Sequence, residues 1–329
     1  MKMPYDIYFY EAFAEEAAAL RRFLPPKLHA GTTWKTIQEA RDAAPPAPII
    51  SVRTQSELPA GWARVMDGLL TRSTGYDHVA AWLQAIDAPI PAGYLPLYCN
   101  RAVAEQATLL WMALLRKLPQ QIQQFGQFHR DGITGRECKG RTITVFGVGN
   151  IGSEIVKIAR GLEMDVRGVD LVERHKQVDY VSPRDGLLHA DILVCAMNLT
   201  PANEGYFDYD TLRLAKPGAL LINIARGELA PAGDLLRLLK EGGLAGVGLD
   251  VYAQEKILAV ALRDPVPGRV TDPTIAATLA LTQRPDVMAL PHNAFNTVEA
   301  VERKAEQSID AIRAFRRRGQ FPNPVTPPT

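Results

Sequence analysis

Three side chains in the second half of the sequence are of types that could do chemistry: a histidine, an arginine and a glutamate. His292 follows Pro291 in segment 290–297, and a histidine can give up or take a proton near neutral pH. Arg226 follows an apolar run, and its guanidinium could bind a carboxylate through two parallel hydrogen bonds. Glu255 belongs, with Asp250, to a second predicted strand end that supplies two acids. Each residue also has a structural interpretation: a buried histidine, an ion-paired arginine or a solvated loop acid.

A glycine pattern typical of dinucleotide-binding proteins lies upstream of these residues. Gly147, Gly149 and Gly152 form the spacing GxGxxG between an apolar run and a helical segment. The first would make a tight turn, the second would let the backbone approach a pyrophosphate, and the third would let helix and strand pack closely. Asp170 ends the next apolar run, where its carboxylate could bind the ribose hydroxyls and would repel a 2′-phosphate. The pattern predicts NAD as cofactor, although basic side chains shortly after Asp170 leave NADP open.

Short apolar runs alternate with helical segments along the chain, and these elements must position the candidate side chains. Strands that are apolar throughout and separated by helices are typical of parallel sheets covered on both faces. The predicted strands cover residues 7–10, 49–52, 66–71, 142–146, 166–169, 192–196, 219–224, 247–251 and 287–290. We expect an α/β fold with two Rossmann-like domains, parallel sheets flanked by helices, and a cleft between the domains.

Two long helical segments mark the predicted domain boundaries, the first over roughly 102–128 and the second over roughly 298–317. At 329 residues the chain is long for a single core, which favours two domains. We predict a substrate domain over 1–100 and an NAD-binding domain over 101–296. A C-terminal helix and tail over 297–329 would return the chain to the substrate domain.

Composition and charge argue against several kinds of partner. The chain carries 37 Lys and Arg against 36 Asp and Glu, and this balance gives no field that would attract nucleic acid or an anionic membrane. The most apolar stretch, 107–115, stops at Arg116 and is too short to span a bilayer. Three widely spaced cysteines without a CxxC pattern argue against a disulfide scaffold or a thiolate metal site. We expect a cytoplasmic protein without a metal, and a frayed tail over the Pro-rich residues 322–328.

The order Arg226, Glu255 and His292 after a GxGxxG fingerprint resembles the D-2-hydroxyacid dehydrogenase family. Other segments that resemble the family are the loop 71–77, the opening of the interdomain helix at 101–105, the turn 222–227 and the strand end 248–255. Within the family the D-lactate dehydrogenase branch fits best. Segment 95–98 resembles the loop of that branch with a substrate-facing tyrosine, and segment 292–297 resembles its His-x-Ala-aromatic-x-Thr pattern.

The resemblance implies a role for each matching residue. Catalysis would belong to Arg226, Glu255 and His292. Cofactor binding would belong to Gly147, Gly149, Asn150, Ile151, Gly152, Asp170, Ala225 and Asp250. Substrate binding would belong to Ser73, Thr74, Gly75, Tyr98, Arg226 and Phe295.

The implied reaction is the interconversion of a small 2-keto acid and its D-2-hydroxy acid by a homodimer. NADH would deliver hydride to C2, His292 would protonate the oxygen, and Arg226 would clamp the carboxylate and the carbonyl oxygen. Three alternatives stay open: reduction of glyoxylate or hydroxypyruvate, oxidation of a phosphorylated hydroxy acid, and an NAD-sensing, corepressor-like binding protein without turnover. The sequence shows no basic cluster near Tyr98, which disfavours a phosphorylated substrate.

Overall fold

The computed structural model describes residues 3–86, 90–263 and 271–326, and the chain divides into two compact units. The first unit comprises Met1–Cys99 and Asn296–Thr329, and the second comprises Asn100–Phe295. The domain roles predicted from the sequence, and the cleft, stay predictions.

Each unit is built on one parallel sheet. The strands of the first unit are β1 (Ile7–Phe9), β2 (Ala30–Thr32), β3 (Ile49–Val52), β4 (Gly68–Thr71) and β5 (Ala92–Gly93). Those of the second unit are β6 (Thr142–Phe146), β7 (Asp165–Val169), β8 (Asp179–Tyr180), β9 (Ile192–Cys195), β10 (Ala219–Asn223), β11 (Leu244–Leu249) and β12 (Val287–Ala289).

Helices connect and cover these strands. They are α1 (Ala14–Phe23), α2 (Ile37–Ala40), α3 (Asp77–Ala85), α4 (Asn100–Leu115), α5 (Leu118–Gln124), α6 (Asn150–Gly161), α7 (Pro183–His189), α8 (Tyr209–Leu212), α9 (Ala232–Glu241), α10 (Glu255–Arg263), α11 (Pro273–Thr282) and α12 (Val298–Arg318). Short 3-10 turns lie at Ala60–Arg64, Phe125–Gln127 and Gly227–Leu229. Within the described ranges, no helix combines the length and the apolar character that a membrane span needs.

The sheet of the first unit has the order β2-β1-β3-β4-β5. Strands β3 and β4 are buried at every position, as expected for the centre of a sheet with both faces covered. Helix α12 packs directly on this sheet, because a Cβ added at Gly68 would lie 2.6 Å from the ring of Phe315. The glycine thus allows the closest approach of α12 to β4.

The sheet of the second unit has the order β12-β11-β10-β9-β6-β7-β8, with parallel pairing throughout its described strands. The chain starts at β6, builds outward through β7 and β8, and then returns to the other side of β6 with β9. This reversal is a topological switch point, where open α/β sheets bind ligands beyond the carboxyl ends of the strands. Because the strands are parallel, all their carboxyl ends lie along the same edge.

The predicted long helix over 102–128 is wrong, because α4 ends at Leu115 and α5 begins at Leu118. Between them Lys117 adopts a left-handed backbone with φ 52°. Pro119 explains the break: it has no N–H for a helical hydrogen bond, and its ring would clash with the carbonyl four residues earlier. The apolar and alanine-rich composition of the segment concealed this break.

The prediction of a frayed tail is wrong for residues 322–326, the part of the tail that the structure describes. Val325 donates its backbone N–H to Ala92 O at 2.9 Å, and Tyr94 donates to Asn323 O at 3.0 Å. The ring of Phe321 stacks on Phe315 with centroids 4.4 Å apart. Proline-rich sequence is compatible with this ordered edge contact because the residues between the prolines make the hydrogen bonds. The remaining residues of the tail lie outside the described residues.

Candidate active site

The glycine loop after β6 forms a cradle at the switch point of the second sheet. Gly147 has φ 90°, and a Cβ there would lie 2.7 Å from the backbone of Ala196 at the end of β9. Gly152 lies against the loop itself, because its Cβ would come within 2.1 Å of Gly147 O. At Gly149, which immediately precedes α6, an added Cβ would meet no atom within 4 Å. The loop therefore leaves open space before the first turn of α6, where a pyrophosphate fits.

Asn150 and Ile151 form that first turn of α6, as the sequence predicted for cofactor-binding residues. Asp170 lies directly beyond β7 and is exposed. Its Oδ2 accepts the backbone N–H of Val148 at 2.7 Å, and its Oδ1 accepts that of Val172 at 3.1 Å. The carboxylate is thus fixed beside the glycine loop, and each oxygen keeps a second lone pair for a ribose hydroxyl. The arrangement fits a dinucleotide.

His292 and Glu255 form a hydrogen-bonded pair at the same edge of the sheet, beyond β12 and β11. His292 Nδ1 lies 2.8 Å from Glu255 Oε2, with side-chain exposures of 24% and 20%. The other oxygen of Glu255 accepts the backbone N–H of Tyr252 at 3.1 Å. Both carboxylate oxygens are therefore engaged, and the pair leaves Nε2 as the imidazole nitrogen available for chemistry.

The backbone around this pair is unusual. His292 has φ 51° and Gln254, which precedes Glu255, has φ 56°. Side chains other than glycine rarely adopt this left-handed region, and such positions cluster at functional sites.

Asp250 holds the turn that carries His292. Its two oxygens accept the backbone N–H groups of Asn293 and Ala294, both at 2.9 Å. The residue is 1% exposed, and burial raises the pKa of its carboxyl despite these two hydrogen bonds and the neighbouring His292. The sequence predicted a cofactor-binding residue here, and the observed contacts also give Asp250 a positioning role.

Tyr252 ties the ends of two strands together beneath the histidine turn. Its hydroxyl lies 2.8 Å from Leu290 O and 3.3 Å from Leu249 O. Burial raises the pKa of this phenol well above its usual range, so the hydroxyl remains a hydrogen-bond donor. The sequence analysis did not single out Tyr252. The signal that could have found it is its position two residues after Asp250, at the end of a strand.

Arg226 lies on a turn beyond β10 that a buried asparagine shapes. Asn223 is fully buried, donates its side-chain amide to Arg226 O at 2.8 Å and accepts from Ala225 N at 3.1 Å. The next residue, Gly227, approaches the neighbouring turn so closely that a Cβ would lie 1.9 Å from the backbone at Tyr252. The two turns that carry Arg226 and Glu255 are therefore packed backbone to backbone. The sequence analysis did not single out Asn223. The signal that could have found it is a polar residue at the end of an otherwise apolar strand.

Phe295 completes the group in the second unit. Its ring meets the imidazole of His292 edge to face, with centroids 6.4 Å apart. The structure thus brings His292, Glu255, Asp250 and Phe295 into one network, and packs the Arg226 turn against it.

The predicted substrate residues of the first unit lie beyond β4 and β5. The Ser73 hydroxyl contacts Thr71 Oγ1 at 2.6 Å and donates to Gly75 O at 2.7 Å. The Thr74 hydroxyl donates to Leu95 O at 3.3 Å. These side chains are used to shape the loop, so a ligand would meet its backbone. Tyr98 is buried at 3% exposure, and this burial raises the pKa of its hydroxyl.

The expectation of no basic cluster near Tyr98 is wrong. The ammonium of Lys304 lies 5.7 Å from the centre of the Tyr98 ring, and Arg303 donates to Tyr98 O at 2.9 Å. Arg53 also acts electrostatically on the Tyr98 hydroxyl. Arg53 directly follows β3, and Arg303 and Lys304 belong to α12. All three are far from Tyr98 in sequence, and no local pattern could have revealed them.

A nicotinamide cofactor could bind at the switch point of the second sheet. Beyond strands of the same sheet lie His292, a candidate proton donor, and Arg226, which could bind a carboxylate. That combination is what an NAD-dependent dehydrogenase of small hydroxy acids requires.

Comparison with known proteins narrows this class to one family. Residues 108–294 match the family described as D-isomer specific 2-hydroxyacid dehydrogenase, NAD binding domain. The match covers more than half of the 329 residues, and the chain belongs to this family. It is an NAD-dependent oxidoreductase that interconverts 2-keto and 2-hydroxy acids.

Individual relatives agree with this assignment. The chain is 30% identical over 259 residues to 2-hydroxyacid dehydrogenase A of Aspergillus oryzae, covering 77% of this chain and 73% of the relative. It is 31% identical over 243 residues to D-2-hydroxyacid dehydrogenase (NAD+) of Lacticaseibacillus paracasei, covering 71% of each. A crystal structure of D-lactate dehydrogenase from Aquifex aeolicus, complexed with NAD and lactic acid, aligns with a TM-score of 0.83. That alignment has 25% identity and covers 98% of this chain and 100% of the other. The predicted family, α/β fold with parallel sheets, enzyme class and cofactor are confirmed.

Proposed function

We propose that this chain reduces a 2-keto acid to the D-2-hydroxy acid in the manner of a D-lactate dehydrogenase, with His292 as proton donor. The observation that carries the proposal is the 2.8 Å contact between His292 Nδ1 and Glu255 Oε2. A carboxylate on Nδ1 fixes the ring and stabilises the protonated imidazole, while Nε2 delivers the proton.

When bound, NADH supplies the hydride that reduces C2 of the keto acid. As hydride arrives, the substrate oxygen gains negative charge, and the proton on His292 Nε2 neutralises it. In the reverse direction the neutral imidazole takes the proton from the hydroxy acid. Asp250 and Tyr252 act through His292 by holding its turn, and they do not touch the reacting atoms in this scheme.

Arg226 binds the substrate carboxylate and the carbonyl oxygen in this proposal. A guanidinium offers paired donors in a fixed plane, which suits two oxygen atoms of one substrate. Asn223 and Gly227 support the assignment, since they fix the turn that carries the arginine. Phe295, beside His292, contributes an apolar wall for the substrate.

The first unit contributes the remaining substrate contacts in the proposal. Backbone amides of Ser73, Thr74 and Gly75 bind the substrate carboxylate, and Tyr98 contacts the substrate side chain. The hydrogen bonds of the Ser73 and Thr74 hydroxyls within their own unit support backbone recognition.

We also propose that the active form is a homodimer in the cytoplasm. Six large apolar side chains of α4, α5 and the following turn are between 37% and 76% exposed: Leu109, Met112, Leu118, Ile122, Phe125 and Phe128. Exposed large apolar side chains concentrated in one segment of the chain are typical of a protein interface, and the family resemblance makes a second copy the expected occupant. The free thiols of Cys99, Cys138 and Cys195 fit a reducing compartment.

Turnover of NADH with pyruvate, glyoxylate and hydroxypyruvate tests the function. We expect oxidation of NADH with at least one of them, and we expect His292→Asn to slow it by about 10²–10⁴-fold while NADH binding persists. Asparagine is the better replacement because it tolerates the left-handed backbone at this position. Binding of NADH without turnover of any 2-keto acid would instead favour the corepressor-like alternative.

A further inference from the structure

The last strand of the first sheet, β5, is short and lies at the edge of the sheet. It consists of Ala92 and Gly93, both buried, and it pairs with β4 on one side. A strand of two residues forms few hydrogen bonds with its neighbour. Its position therefore depends on what covers its other side.

Residues 321–325, which we call the edge segment, cover that other side of β5. Val325 donates its backbone N–H to Ala92 O at 2.9 Å, and Tyr94 donates to Asn323 O at 3.0 Å. The pairing is antiparallel. The two hydrogen bonds hold β5 from the side opposite to β4.

Side-chain packing anchors the edge segment at both of its ends. Phe321 stacks on Phe315 of α12, with ring centroids 4.4 Å apart and planes 8° apart. A Cβ added at Gly93 would lie 2.5 Å from the side chain of Phe321. Phe321 is 5% exposed and Val325 is 8% exposed. This packing keeps the backbone of the edge segment in register with β5.

The residues that follow β5 contact the predicted substrate loop. Leu95 donates its N–H to Ser73 O at 3.2 Å, and its carbonyl accepts the Thr74 hydroxyl at 3.3 Å. The ring of Tyr94 lies against that of Tyr76, with centroids 4.5 Å apart. A displacement of β5 would therefore displace the loop as well.

We propose that the edge segment positions the substrate loop, with Phe321 and Val325 as positioning residues. The segment fixes β5, and the residues after β5 fix loop residues 73–76. The inference rests on the proposed function, in which backbone amides of this loop bind the substrate carboxylate. Amides that must first be ordered bind an anion less tightly than amides that are already in place. Loss of the edge segment should therefore weaken substrate binding without changing proton transfer at His292.

The test compares variants that remove or displace the edge segment with variants that retain it. A chain that ends at Gln320 lacks the segment. Gly93→Ala displaces it, because the added Cβ would collide with Phe321. A chain that ends at Thr326 keeps every contact described above and is the first control. Gly61→Ala is the second control, since it makes the same substitution in the same unit where a Cβ would meet no atom within 4 Å.

Hydrogen exchange reports on the loop, and steady-state kinetics report on its effect. In the shortened chain and in Gly93→Ala, we expect the amides of residues 73–76 to exchange about 10-fold faster or more, while those of β3 keep the parent rates. KM for each accepted 2-keto acid should rise about 10-fold or more, with kcat within about 3-fold and the Kd of NADH within about 2-fold. Both controls should match the parent.

Parent-like exchange of residues 73–76 in both variants would overturn the inference and leave the proposed function intact. Faster exchange throughout the first sheet, with equal losses in kcat and in NADH binding, would also overturn it, because it would indicate a general loss of structure. Faster loop exchange with an unchanged KM would overturn the positioning role in substrate binding. A parent without turnover of any acid would instead refute the proposed function, and with it the substrate role of this loop, even if the exchange rates change as expected.

Discussion

Replacing Glu255 by glutamine would remove the charge that faces His292 while preserving the shape of the side chain. Glu255 Oε2 lies 2.8 Å from His292 Nδ1, and Oε1 accepts the N–H of Tyr252 at 3.1 Å. Glutamine has a single acceptor oxygen, so it can accept from Tyr252 N–H or from His292 Nδ1–H but not from both, and the variant removes the charge together with one of these hydrogen bonds. A hydrogen bond involving a charged group contributes about 1.5–3 kcal/mol, so kcat/KM for reduction should fall about 10- to 150-fold.

The direction of the reaction should set the pH dependence of each rate. Reduction needs protonated imidazole and oxidation needs neutral imidazole, so reduction should fall and oxidation should rise as the pH increases. His292→Asn should lose about 10²–10⁴-fold in turnover. The double variant should lose less than the product of the single losses, because Glu255 acts through His292.

The assay is a set of pH–rate profiles in both directions for the parent, Glu255→Gln, His292→Asn and the double variant. Glu204→Gln, which alters an exposed acid of the same unit, serves as a matched control. NADH binding, followed by fluorescence, shows whether each variant retains its cofactor site. Fully multiplicative losses in the double variant would refute the coupling of the two residues.

Three further predictions concern the cofactor, the substrate and the fold. Asp170→Ala should weaken NADH binding by about 1.5–3 kcal/mol in a fluorescence titration, and equal efficiency of the parent with NADPH would contradict the role of Asp170. Arg226→Gln should lose about 2–5 kcal/mol of transition-state binding on every accepted 2-keto acid, measured as kcat/KM, and near-parent efficiency would make the arginine structural. Glu16→Gln should destabilise the first unit by about 3–5 kcal/mol in urea denaturation, because it leaves the buried cations of Arg72 and Lys304, 2.8 and 2.9 Å from its carboxylate oxygens, uncompensated. Because the pKa of Glu16 is lowered from 4.5 to about 2, its stabilising contribution is present above about pH 4.5 and is lost as the pH falls towards 2. The parent should therefore lose its advantage over the variant in acid, and a constant difference down to pH 2 would contradict this reading.

The sheets were predictable because parallel strands leave a strong local signal. The strands that carry the candidate site, β6, β10 and β11, are buried along nearly their whole length, and their residues are apolar except for the two threonines of β6 and the asparagine that ends β10. The short edge strands β2, β5 and β8 were not predicted, since a strand of two or three residues at an edge buries too little to leave a pattern. The break between α4 and α5 depended on Pro119, a single residue within helix-forming sequence.

The side chains that could do chemistry were predictable, whereas the residues that hold them in position were not. His292, Glu255 and Arg226 were found from residue type and order. Asn223 and Tyr252 hold them through contacts with backbone atoms, and the partners of such contacts depend on the folded path of the chain. The cluster around Tyr98 was missed for the same reason, because Arg53 and Lys304 meet it only through the sheet and α12.

The most direct test of the central claim is the configuration of the product formed from NADH and a 2-keto acid. The purified chain is incubated with NADH and each accepted acid, and the hydroxy acid is resolved by chiral chromatography. The account predicts the D-enantiomer alone, formed in equal amount to the NADH consumed, and its loss in His292→Asn with NADH still bound. Formation of the L-enantiomer, or a His292→Asn variant with near-parent turnover, would contradict the account.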